Sequence, residues 1–127
     1  MEIIIDKGIK GYCEQQVTQK DTAKAYGSGL VEVFATPAMI ALMEQTAHTS
    51  LQDFLPKGFA TVGTHLDIEH SKATSLGAKV WCESVLESQD GRKLFFSVIA
   101  YDESGVIGKG THERFIINVE KFMDKLK

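Results

Sequence analysis

The sequence is poor in the residues that mark specialised protein classes. Its two cysteines, Cys13 and Cys82, lie far apart in unlike contexts without CxxC spacing. That argues against a disulfide framework or a thiolate metal site and reads as two reduced thiols in small core positions. No apolar run reaches about 18 residues and no basic-then-apolar leader is present, so neither a membrane span nor a secretory signal is supported. A cytoplasmic protein without membrane contact is expected. The 14 basic residues are spread thinly over a chain of net charge −3. Phosphate binding needs a clustered basic face, so no nucleic-acid partner is expected. Only Lys121, Lys125 and Lys127 make the tail locally basic, as at a solvated helix end. What remains, 43% hydrophobic and 24% charged residues over 127 positions, suits one domain spanning 1–127 with a real core.

The only two prolines, Pro37 and Pro56, bracket the stretch around which the chain is organised, Thr36 to Phe54. Thr36 is the expected N-cap, with Pro37 where its missing N–H costs nothing, and Pro56 and Gly58 stop the helix after the last apolar contacts, Phe54 and Leu55. Met39, Ile40, Leu42, Met43, Ala47 and Leu51 cover too wide an arc for a surface helix, so this one is central and something wraps around it.

Before the helix, Glu2 to Ile5 and Gly11 to Thr18 read as one early strand with a break. Gln19 to Gly29 is polar and reads as a plain connection rather than a lid. After the helix, Ala60, Val62, Thr64, Leu66 and Ile68 alternate with polar neighbours, the period of a strand with one buried face, and His70 closes it. A second strand over Gly77 to Glu87 slips in pattern near Ser84 and Val85, as at a bulge. Asp90-Gly91 signals a hairpin; Leu94 to Tyr101 is apolar on both faces and therefore central; Glu103-Ser104-Gly105 signals another hairpin before a long last strand, Val106 to Val119, and a short polar tail. An early strand, one apolar helix and four long antiparallel strands can bury one another only if a sheet of about five to six strands curls around the helix. That α+β arrangement is the hot-dog fold.

Glu44 lies in the middle of the helix among Ala41, Leu42, Met43 and Ala47. A buried carboxylate there would cost several kcal/mol by order of magnitude unless it is partnered or faces water. One reading pairs it with His48 four residues on, or gives it some other structural hydrogen bond; the other gives it a functional role. Thr36 with the amides of the helix start, His70 and the side-chain-free Gly63 can converge on the same helix. Such a set offers a carboxylate, oxyanion donors and an imidazole, which are the needs of acyl transfer. Metal binding is the competing use of His65, Asp67, His70, Glu44 and His48, but His65 and Asp67 share one strand face while His70 falls on the other, and no HxxxH pair exists. His112 in the last strand is equally ambiguous, and a purely structural role is favoured.

Two segments carry a family signature. Val33 to Ala47 reads VFATPAMIALMEQTA, and Gly110 to Phe122 reads GTHERFIINVEKF; VGTHLDIEHSKATSLG, Val62 to Gly77, adds to them. Together they resemble the fluoroacetyl-CoA thioesterase type of hot-dog protein over most of the chain after residue 30. The resemblance implies a homodimer, or a dimer of dimers, with the acyl-CoA site at the subunit interface, and coenzyme A entering as part of the substrate rather than as a cofactor. It implies Thr36, Glu44 and His70 as the catalytic set. It also implies Gly63 and Arg114 as shapers of the acyl pocket, with Val33, Phe34 and Met39 as further substrate contacts and no metal. The chain departs from that family before the helix, where Thr18 to Gly29 is shorter and offers only Tyr26, and at Pro37-Ala38, which replaces Gly-Phe. A short-chain or small aryl acyl-CoA is therefore the expected substrate of a thioester hydrolase. A non-catalytic acyl-CoA-binding protein and, less favoured, an enoyl-CoA hydratase or dehydratase are the alternatives.

Overall fold

The computed structural model describes residues 2–127. Strand β1 (Lys10–Gln16) is followed by a short helix α1 (Ala23–Tyr26) and the long helix α2 (Thr36–Leu51), which tightens into a 3-10 turn at Gln52–Phe54. Then come β2 (Phe59–His70), β3 (Lys79–Asp90), β4 (Lys93–Asp102), β5 (Gly105–Asn118) and a terminal helix α3 (Val119–Asp124). The five strands form one antiparallel sheet in the order β1-β3-β4-β5-β2, with β4 at its centre and β1 and β2 at its edges.

Helix α2 lies against one face of this curled sheet. From the helix come Ala38, Met39, Leu42, Met43, Ala47 and Leu51; from the sheet come Val80, Cys82 and Leu86, then Leu94, Phe96, Val98 and Ala100, then Ile107 and Ile116, all buried. Leu42 is 1% exposed, so its truncation to alanine would remove about 2–5 kcal/mol of stability. Strand β4 alternates these fully buried residues with half-buried Phe95, Ser97, Ile99 and Tyr101 on the outer face, where Tyr101 stacks on Trp81. The Asp90-Gly91 turn forms with Gly91 at φ 60°, a left-handed conformation that glycine adopts without strain. No helix among the described residues is long and apolar enough to cross a membrane.

Several sequence expectations are corrected. Residues 2–5 are not a strand: Ile3 and Ile5 pack into the core while Gln89 bonds their backbone, donating to the Ile3 carbonyl and accepting from the Ile5 amide. The bulge in β3 falls between Leu86 and Ser88 rather than at Ser84, because Ser84 stays in register and points inward, 1% exposed. In β2 the alternation breaks between Gly63 and His65. Thr61 is buried before the break, whereas Leu66, Ile68 and His70 point inward after it, so Ala60, Val62 and Thr64 do not share their face. Phe54 is exposed rather than a closing contact of the helix, whereas the tail does form the solvated helix end expected of it, capped by the Asn118 side chain.

Candidate active site

The entry to α2 is held by backbone bonds from three directions. Phe34 N–H donates to Thr74, Ala35 N–H to Asp21, and Val33 accepts from Ala23. The loop after β2 is fixed in turn by buried Asp102, which accepts from Lys72 Nζ and Thr74 Oγ1, each at 2.8 Å. Burial alone would raise the Asp102 carboxyl, but these bonds and one from the Ser104 amide outweigh it and hold the group below its ordinary value.

This scaffold places Thr36 beside His70. Thr36 is not the N-cap: Ala35 holds that position without a side-chain cap, and Thr36 is the first helical residue. Its hydroxyl is engaged elsewhere, 2.7 Å from His70 Nδ1. The first-turn amides therefore have no side-chain acceptor, and the positive end of the helix dipole is open to a developing negative charge. Both residues line a cavity of about 360 Å³ with Val33, Phe34, Ala35 and Ala73. Burial pushes the His70 imidazole below its ordinary pKa, partly offset by the Lys72 backbone, and its buried Nε2 has no partner among the described residues.

A second cluster surrounds Glu44. Arg114, buried on β5, lies with Nη1 3.5 Å from Glu44 Oε2. The guanidinium is fixed by donation from Nε to Thr61 Oγ1 at 2.8 Å and from Nη2 to the Thr61 carbonyl at 3.0 Å. Its Nη1 is also 3.1 Å from His112 Nε2. Gly63 packs directly beneath: a methyl there would collide with Glu44 Oε2 and stand 3.2 Å from His112 Cε1. Glu44 therefore pairs with Arg114, and no hydrogen bond joins it to His48. Its side chain is 39% exposed, so the carboxylate keeps access to solvent.

The predicted residues thus fall into two groups within one chain. Thr36, His70, Val33 and Phe34 meet at the helix start, and Glu44, Gly63 and Arg114 meet two turns further along. Eight residues separate Thr36 from Glu44, or about 12 Å of helix rise. Met39 belongs to neither: it is fully buried in the core, against Gly108 on β5. Neither Thr61 nor the placement of His112 against Arg114 is marked by a sequence motif. Neighbours His112 and Arg114, two apart on β5, were the available signal, since such residues share a strand face.

A family model described as fluoroacetyl-CoA-specific thioesterase matches residues 17–120. The fluoroacetyl-CoA thioesterase of Streptantibioticus cattleyicolor is 40% identical over 96 residues, covering 76% of this chain and 69% of that protein. A solved structure of a variant fluoroacetyl-CoA thioesterase in complex with acetyl-CoA superposes with a TM-score of 0.91 at 32% identity, covering 96% of each chain. A hypothetical protein of Thermus thermophilus, a thioesterase superfamily member, superposes with a TM-score of 0.89 at 26% identity, covering 97% of this chain and 91% of that one.

Proposed function

Because the chain belongs to the fluoroacetyl-CoA-specific thioesterase family, we propose that it is an acyl-CoA thioesterase that hydrolyses a short-chain or other small acyl-CoA to the free acid and coenzyme A. The observation that carries this reading is the Thr36–His70 hydrogen bond at a helix start whose first amides no side chain claims. The thioester carbonyl sits at that helix start, where Thr36 and the free amides stabilise the oxyanion. Glu44 supplies the attack, as nucleophile or as base to a water, and His70 moves the proton as the thiol of coenzyme A departs. Small lining residues, Ala23, Ser28, Ala35 and Ala73, support a small acyl group. Coenzyme A enters with the substrate, and no separate cofactor is invoked. Two free thiols suit a cytoplasmic location.

The working unit we propose is a homodimer. The separation of Glu44 from Thr36 within one chain supports a second copy completing the site. So does the edge position of β2, which carries Gly63 and His70 and has β5 as its only ladder neighbour among the described residues.

Thiol release from acetyl-, fluoroacetyl-, propionyl-, butyryl-, longer-chain and phenylacetyl-CoA tests the reading, with crotonyl-CoA hydration followed in parallel. Release is expected with the smaller acyl groups. Tight acyl-CoA binding without release, or hydration in its place, would overturn it.

A further inference from the structure

Buried His112 makes two hydrogen bonds whose chemistry leaves one arrangement. Its Nδ1 is 2.9 Å from the His65 carbonyl, and a carbonyl oxygen only accepts, so Nδ1 carries the proton. Its Nε2 is 3.1 Å from Arg114 Nη1, and a guanidinium only donates, so Nε2 presents a lone pair. The ring is therefore the neutral Nδ1–H tautomer, fixed from both sides. The acceptor on the first side lies just past the bulge in β2, and Gly63, which faces Glu44, lies just before it.

We propose that His112 is a positioning residue of the acyl-CoA site, its Nε2 lone pair holding the Arg114 guanidinium in the orientation that faces Glu44. The inference rests on the thioesterase reading and extends it. Arg114 Nη1 is shared between His112 and Glu44, while Nε and Nη2 are held by Thr61. Thr61 fixes the guanidinium plane, and the Nε2 lone pair adds the bond on Nη1 itself; without it Nη1 has only the longer contact to Glu44 and is freer to tilt away from the carboxylate. The ring is also favoured in its neutral form, since burial and the Arg114 charge push His112 below its ordinary pKa and outweigh the His65 carbonyl and nearby carboxylates.

Two substitutions separate this role from simple packing. In His112→Asn the amide reaches the Nδ1 position and still donates to His65, but nothing accepts from Arg114. In His112→Gln the amide oxygen reaches the Nε2 position and still accepts. His112→Asn is expected to lower kcat about 10- to 100-fold, the size of one hydrogen bond to a charged group, with KM little changed. His112→Gln is expected to stay within about threefold of the wild type, and in an Arg114→Met background His112→Asn should add almost nothing. Equal loss in both variants, or full additivity with Arg114→Met, overturns the proposal. Nitrogen-15 NMR of the wild-type histidines provides a check that needs no variant: Nδ1 protonated and Nε2 bare is expected, and the reverse tautomer overturns it. A wild type that releases no thiol would remove the thioesterase reading itself. An active wild type with an unaffected His112→Asn removes only this inference.

Discussion

Thr36 Oγ1 and His70 Nδ1 lie 2.7 Å apart although 34 residues separate them in the chain. The bond ties the first residue of the central helix to the last residue of β2 and commits both polar groups to the cavity between them. Proton transfer through positioned groups typically contributes about 10²- to 10⁴-fold. His70→Ala is therefore expected to lose kcat by about that factor with little change in melting temperature. Thr36→Ser, which keeps the hydroxyl, should be far milder than Thr36→Ala.

The pH profile follows from the same pair. Burial lowers the His70 pKa, so the neutral imidazole persists to more acid pH than in a free histidine. With a neutral base required, kcat/KM should be level at neutral pH and fall on the acid side with a midpoint below about 6.5. His70→Ala should abolish that limb.

Gly63→Ala tests the contact beneath Glu44. The added methyl has no free space, because Glu44 Oε2 occupies its position and Arg114 Nη1 lies 3.3 Å away. Displacing the carboxylate, the far end of a flexible and partly exposed side chain, should cost at least about tenfold in kcat/KM with little change in stability.

Asp102 governs acid stability through the loop that carries Ser71 to Thr74. Its folded pKa is held below the unfolded value, so its stabilisation is complete above about pH 4 and is lost as the pH falls through the folded value. Melting temperature should be steady from neutral pH to about 5 and drop below about 4. Asp102→Asn should be less stable at neutral pH by about 1–3 kcal/mol and show a weaker acid limb.

The two thiols should differ sharply in reactivity. Cys13 and Cys82 are register partners on β1 and β3, but Cys82 is fully buried and burial pushes its thiol up to about 11. Native protein should react with a thiol reagent at Cys13 alone, and Cys82 only after denaturation. Rapid modification of Cys82 in the native state would contradict this burial.

The fold was legible because its signals are strong and local. Pro37 and Pro56 bracket the apolar helix, and Asp90-Gly91 and Ser104-Gly105 mark the hairpins that join long alternating strands. The hydrophobic period failed where a bulge shifts it. Reading β2 by strict alternation puts Gly63 and His70 on opposite faces, yet the break after Gly63 turns both inward. Thr36 was read as a cap because threonine before proline is a cap signal; the structure gives its hydroxyl a better partner, one that the local sequence could not show. The Glu44–Arg114 pair spans 70 residues, and no spacing rule reaches that far. Arg114 is marked only by the family resemblance, and a lone strand histidine such as His112 carries no distinguishing signal.

The most direct test of the account is the rate of thiol release by Glu44→Ala and Glu44→Gln beside the wild type, with the acyl-CoA that the wild type hydrolyses fastest. A carboxylate that attacks the thioester or activates water is required in both cases, so both variants should lose kcat by at least about 10²-fold while remaining folded. Release at close to the wild-type rate by either folded variant would contradict the account.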